Sequence, residues 1–162
     1  MTQWLSDQQQ VAWRAWITAS NLLDSRLSRE LTEGHGLTVA DYEILVQLSE
    51  SDDRWLHMSE LADRTLSSRS RLSHQIDRME KAGLVARACC PHDRRGQHAE
   101  LTDHGLQTLV AAAPTHVEGV RRYVVDAMTP EQFEALGAAC ATIVAALEVA
   151  PNDHLTGLGC LT

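Results

Sequence analysis

Between Ser68 and Lys81 the chain concentrates side chains that bind anions and read base edges: Ser68, Arg69, Ser70, Arg71, His74, Gln75, Arg78 and Lys81. A second group follows at Asp93-Arg94-Arg95-Gly96. A guanidinium can bond guanine O6 and N7 together, an amide can do the same for adenine, and a hydroxyl can bond base edges or phosphate. Arginines at a hairpin tip can enter a minor groove, where negative potential concentrates. The chemistry implied is recognition of duplex nucleic acid. Net charge is −8, yet residues 64–95 hold eight Lys/Arg against three acids, a local +5 that leaves −13 on the rest. Such a basic island is an electrostatic footprint for a polyanion, although a solvated basic helix face has the same composition.

These side chains need elements to position them. Leu72, Ile76 and Met79 recur at helical spacing, which predicts a helix over 69–82 with Ser67-Ser68 as its cap and Gly83 as its stop. At about 100° per residue, Ser70, His74, Asp77 and Lys81 lie opposite this stripe, with Arg71 and Arg78 on one flank and Gln75 nearer the core. Asp77 and Glu80 would face a polyanion badly, so they are expected to orient cations, Asp77 through Lys81 one turn on. Ser59 is expected to cap a shorter helix, Glu60–Leu66, with Leu61, Ala62 and Thr65 or Leu66 turned inward. From Leu84 to Cys89 the pattern alternates, Pro91–Gly96 reads as a turn, and His98–Leu101 returns, which together make a β-hairpin. Two short helices and a hairpin form a winged helix-turn-helix, with residues 69–82 as the helix for the major groove.

The flanks are helical. Residues 7–33 form a long helix stopped by Gly34 and Gly36, and Thr38, with Asp41 three residues on, caps a second. Trp55-Leu56-His57 is a stub of strand. Thr102 opens a helix to about Ala127 that Pro114 should kink or interrupt. Thr129-Pro130-Glu131-Gln132 opens the last helix, whose apolar side is Phe133, Leu136, Cys140, Ile143, Val144 and Leu147. The fold class is mainly α with a small β-hairpin wing, in one domain over 1–162. Residues 38–102 make the DNA-binding lobe, 1–33 and 103–149 a helical dimerisation region, and 150–162 a tail. The terminal helices carry more apolar surface than one small core can cover. A dimer would set two reading helices about 34 Å apart, one turn of DNA.

The stretch Met58-Ser-Glu-Leu-Ala-Asp-Arg64 with Ser70–Val85 resembles the MarR family of bacterial regulators. Met79-Glu80-Lys81-Ala82-Gly83-Leu84-Val85 matches the family's Leu-Glu-x-x-Gly-Leu-Val pattern with Met for Leu. Asp93 and Arg95 match its Asp-x-Arg wing motif, and Glu100-Leu-Thr-Asp-His-Gly105 also fits. The resemblance is specific over about residues 56–106. It implies a triangular homodimer with interlocked first and last helices, a palindromic operator, usually repression, and often release by a small phenolic or other aromatic ligand. It marks Asp93 and Arg95 as a wing salt bridge. Trp13, Trp16, Tyr42, Leu45 and Arg64 are the residues expected to line an effector pocket, or else to serve as core and interface.

Other readings have less behind them. Cys89 and Cys90 sit at the wing base among Arg87, His92 and Arg94, where cations lower a thiol pKa, so oxidation there could displace the wing. The remaining thiols are Cys140 and Cys160, and no CxxC spacing exists. Cys90, His92 and His98 could offer metal ligands across the hairpin, without a compact cluster, so neither metal nor cofactor is expected. HExxH, GxSxG, P-loop and GxGxxG signatures are all missing, which argues against an enzyme and leaves a protein-binding winged helix as the other class. No apolar run approaches the roughly 20 residues that span a bilayer, and the N-terminus does not read as a signal peptide, so the cytoplasm is expected.

Overall fold

The computed structural model describes residues 2–90 and 93–149, the side chains of residues 89, 90, 93–96 and 149 excepted. Residues up to Val120 pack as one compact unit and those from Arg121 as another. Ser6 starts α1 (Asp7–His35) with a reciprocal cap: its hydroxyl accepts from the Gln9 N–H while Gln9 Oε1 accepts from the Ser6 N–H. Gly36, at φ 69°, ends it in the left-handed conformation that glycine adopts without strain. Thr38 and Asp41 repeat the box at the start of α2 (Val39–Ser49).

A 3₁₀ turn at Asp52–Arg54 leads into β1 (Trp55–His57), then α3 (Met58–Arg64) and α4 (Arg69–Lys81). The hairpin is β2 (Val85–Cys90) and β3 (Asp93–Leu101), followed by α5 (Asp103–Val120). The expected strand stub is a full partner. β3 lies between β1 and β2, both antiparallel to it, with Leu56 opposite Ala99 and Arg87 opposite the same residue on the far side. Leu31, Leu37, Ile44, Leu45, Leu48, Leu61, Leu72, Ile76, Met79 and Val85 form one apolar core, so α2, α3, α4 and the sheet are held by shared burial.

Several boundaries differ from expectation. The α3 helix starts at Met58 after His57, so Ser59 lies inside it instead of capping it. Leu66 is 95% exposed at φ 48°. Its left-handed backbone closes α3, with the Ser67 N–H reaching Ala62 O at 2.9 Å and the Leu66 N–H reaching Asp63 O at 3.3 Å, and this turns the side chain outward. Strand β3 begins at Asp93, so residues 93–96 of the expected wing turn already follow the strand backbone, while Pro91 and His92 lie outside the described residues. Helix α5 runs through Pro114, because one proline removes a single N–H and burial of Leu109, Ala112 and Gly119 holds the rest.

In the second unit a π turn at Arg121–Val125 precedes α6 (Pro130–Val149), and Thr129 and Gln132 form its capping box. Phe133, Ile143, Val144 and Leu147 are exposed on α6. No helix among the described residues is long and apolar enough to cross a membrane.

The α4–β2 turn docks against the start of α5 at Gly105. A Cβ there would stand 2.0 Å from Leu84 O and 2.8 Å from Leu101 Cδ1. Gly105→Ala is expected to lower unfolding free energy by about 1–3 kcal/mol in urea titration, because backbone must move to admit the methyl.

Candidate nucleic-acid interface

Helix α4 is fixed by its buried edge. Leu72, Ile76 and Met79 are fully covered, which commits the opposite side to solvent. Ser68 caps the first turn by accepting from the Arg71 N–H at 3.3 Å. Arg69, Ser70, Arg71, His74 and Arg78 are exposed along the outer face, while Gln75 is half-buried. Among the described residues neither Arg69 nor Arg71 has an ion-pair partner, so both guanidinium groups stand free beside the positive end of the helix. Hydroxyls, an imidazole, two free cations and first-turn N–H groups on one convex edge suit a polyanion that carries readable edges.

Two anchors outside α4 set how it is held. On the α2 side Asp41, only 1% exposed, takes Arg78 Nη2 at 2.6 Å and Gln75 Nε2 at 3.2 Å on its Oδ1. Its Oδ2 accepts from the Thr38 N–H at 2.9 Å and the Thr38 hydroxyl at 2.8 Å. Arg78 and Gln75, expected as contacts to nucleic acid, therefore turn toward α2. Sequence reading placed Asp41 in the α2 cap but missed its hold on α4, since Glu43 two residues on offers a like carboxylate and nothing local tells the two apart.

On the wing side Arg87 of β2 reaches across to α4. Its guanidinium pairs with Asp77 and donates to Ser73 O at 2.7 Å and to Ser73 Oγ at 3.2 Å, and its backbone N–H donates to Glu80 Oε1 at 3.0 Å. Asp77 thus serves Arg87 rather than the expected Lys81, since a half-buried cross-element pair is better shielded from water than a flexible exposed lysine. Arg87 Nε is buried with no hydrogen-bond partner among the described residues. The side chains of Asp93, Arg94 and Arg95, expected at the wing tip, and of Cys89 and Cys90 lie outside the described residues, as does His92. The β2–β3 register shifts between Cys89 and Cys90, at the base of that tip.

The five residues expected around an effector lie in different surroundings. Leu45 is fully buried in the core, whereas Trp13 and Trp16 are exposed on α1. Arg64 binds Glu60 at 2.7 Å and borders an open acidic hollow with Asp52 and Asp53. Tyr42 stacks on His116 of α5 at 4.5 Å between ring centres. Burial pushes the His116 pKa down and the Tyr42 pKa up, so both rings favour their neutral forms there. Nearby, His35 Nε2 lies 2.9 Å from Thr115 Oγ1.

A family model described as the MarR family matches residues 35–96. The chain is 32% identical to the homoprotocatechuate degradative operon repressor of Escherichia coli over 108 residues, 67% of this chain and 71% of that one. Among solved structures it is similar to AbsC, a MarR family transcriptional regulator from Streptomyces coelicolor, at 48% identity and a TM-score of 0.84, covering 91% of this chain and 99% of that chain. It is also similar to Sco3205, a MarR family transcriptional regulator of the same organism solved in complex with DNA, at 42% identity and a TM-score of 0.90, with 94% and 96% covered.

The Arg87 anchor is open to a direct check. Arg87→Met leaves Asp77 and Ser73 O without their partner, and is expected to cost about 1–3 kcal/mol of stability in urea titration. Duplex affinity should fall with it, read by fluorescence anisotropy at a temperature where the variant stays folded.

Proposed function

The chain belongs to the MarR family of transcriptional regulators, and from that premise we propose that it binds a palindromic operator as a homodimer, represses, and is released by a small aromatic effector. The observation that carries the DNA-binding face is the outer edge of α4, where Arg69 and Arg71 are unpaired among the described residues beside Ser68, Ser70 and His74. In this reading α4 enters the major groove. Arg71 and His74 read base edges, while Ser68, Arg69 and Ser70 hold phosphate. Arg94 and Arg95 of the wing reach the flanking minor groove, with Asp93 bridged to Arg95.

The lobe is residues 38–102, the dimerisation region is 1–33 with 103–149, and 150–162 is a tail. Dimerisation is supported by apolar side chains that this chain leaves uncovered. Val11, Trp13, Trp16, Ile17 and Leu22 are exposed on α1, as are Phe133, Ile143, Val144 and Leu147 on α6. Soluble monomers rarely leave so much apolar surface in contact with water. Repression and an aromatic effector draw support from the name of the homoprotocatechuate operon repressor. With Trp13 and Trp16 facing outward, a pocket that includes them needs the surface of a second copy.

Anisotropy of a labelled duplex carrying the DNA upstream of the protein's own gene, across a salt series and against random duplex, tests the central claim. Binding that beats random DNA and weakens steeply with salt is the expected result. Equal, weak binding to both would point to a protein-binding role. Arg71→Ala should weaken operator binding and relax base preference by about 1–3 kcal/mol at one position per half-site, and unchanged selectivity would displace Arg71 from the reading face. Ile143→Asp should shift the protein to monomer in sedimentation, because a buried unpaired carboxylate opposes association.

A further inference from the structure

Arg78 lies on the same outer edge of α4 as Arg71 and His74, and its side chain is 56% exposed. From that position a guanidinium on a long, flexible stem would take the nearest phosphate of any duplex laid along the helix. It is instead drawn to Asp41 Oδ1 at 2.6 Å. The carboxylate has little freedom to follow Arg78 outward, because Oδ2 is bound to the Thr38 N–H and hydroxyl at 2.9 and 2.8 Å. A 1% exposed carboxylate is weakly screened, whereas a backbone phosphate competes through water and counterions. Gln75, whose amide could read adenine, is held on the same oxygen at 3.2 Å.

The geometry points to Asp41 as a specificity-determining, positioning residue. It neutralises Arg78 and withholds that cation from DNA phosphate. A phosphate contact adds affinity for every sequence alike and carries no base information. With Arg78 occupied, the arginines of α4 without an ion pair among the described residues are Arg69 and Arg71 at its N-terminal end, where base edges come within reach. Asp41 thereby lowers binding to random DNA more than binding to operator, which widens the ratio between them. This inference rests on the DNA-binding reading and adds to it a residue that never touches the duplex.

The test is the salt dependence of binding to a labelled random-sequence duplex. Asn at position 41 keeps a side-chain oxygen for the Thr38 N–H but loses the charge that holds Arg78. In Asp41→Asn the plot of log K against log salt should steepen by about 0.9 for each α4 brought to the duplex. Random-duplex affinity should rise at low salt, and the operator-to-random ratio should narrow. In Asp41→Asn with Arg78→Gln, the slope should return to the wild-type value, which a loss of packing alone would not produce. A folded Asp41→Asn protein with the wild-type slope, or a steeper slope that persists in the double variant, overturns the proposal. Should circular dichroism show Asp41→Asn unfolded, Arg78→Gln alone decides. The wild-type slope is then expected, and a shallower slope by about 0.9 per α4 would place Arg78 on phosphate and refute withholding. Wild-type protein without salt-dependent duplex binding would remove the DNA-binding reading itself, a result distinct from any change of slope.

Discussion

A carboxylate that is 1% exposed must have its lone pairs filled from within the protein, and Asp41 fills them from two directions. One oxygen closes the first turn of α2 through Thr38, and the other receives Arg78 and Gln75 from α4. The start of α2 and the outer face of α4 therefore share a single charged group. Movement of one changes hydrogen-bond geometry at the other, and an unpaired charge left in that place would be costly. Arg87 does comparable work from the wing side by joining β2 to Asp77 and Ser73. Between these anchors and the apolar edge of Leu72, Ile76 and Met79, α4 is held on three sides and presents the fourth to solvent.

The same anchors decide the electrostatics. Within the basic island, Arg64, Arg78 and Arg87 pair with Glu60, Asp41 and Asp77, and of those carboxylates only Asp77 belongs to residues 64–95. Among the described residues the unpaired cations of α4 are Arg69 and Arg71, beside the helix N-terminus, whose dipole has the same sign, and Lys81 at the opposite end. An acidic protein can present such a short cationic edge because the Debye length at physiological salt is about 8 Å, so remote carboxylates are screened from a bound polyanion.

The uncovered apolar surface tells a complementary story. The first half of α1 contributes no fully buried residue, whereas Leu27 and Leu31 near its end join or border the core of the lobe. A helix of 29 residues with a reciprocal cap at its start is well specified locally, yet Val11, Trp13, Trp16, Ile17 and Leu22 on it stay exposed among the described residues. Hydrophobic burial is proportional to area removed from water, so the unused area is a driving force for association.

Element order and the outer face of α4 were legible in the sequence because both follow from local rules. Apolar residues at helical spacing fix which edge is buried, and the caps at Thr38, Ser68 and Thr129 form within three residues of chain. Where local rules compete, reading was weaker: Ser59 resembles a cap but lies inside α3, and Leu66 takes a left-handed turn that favours glycine. The tertiary structure alone decided which cations are free. Arg78 meets a carboxylate 37 residues away, and Asp77 prefers Arg87, ten residues on, to a lysine one turn along its own helix. Charge pairing depends on distance and shielding from water, and neither quantity exists until the chain has folded.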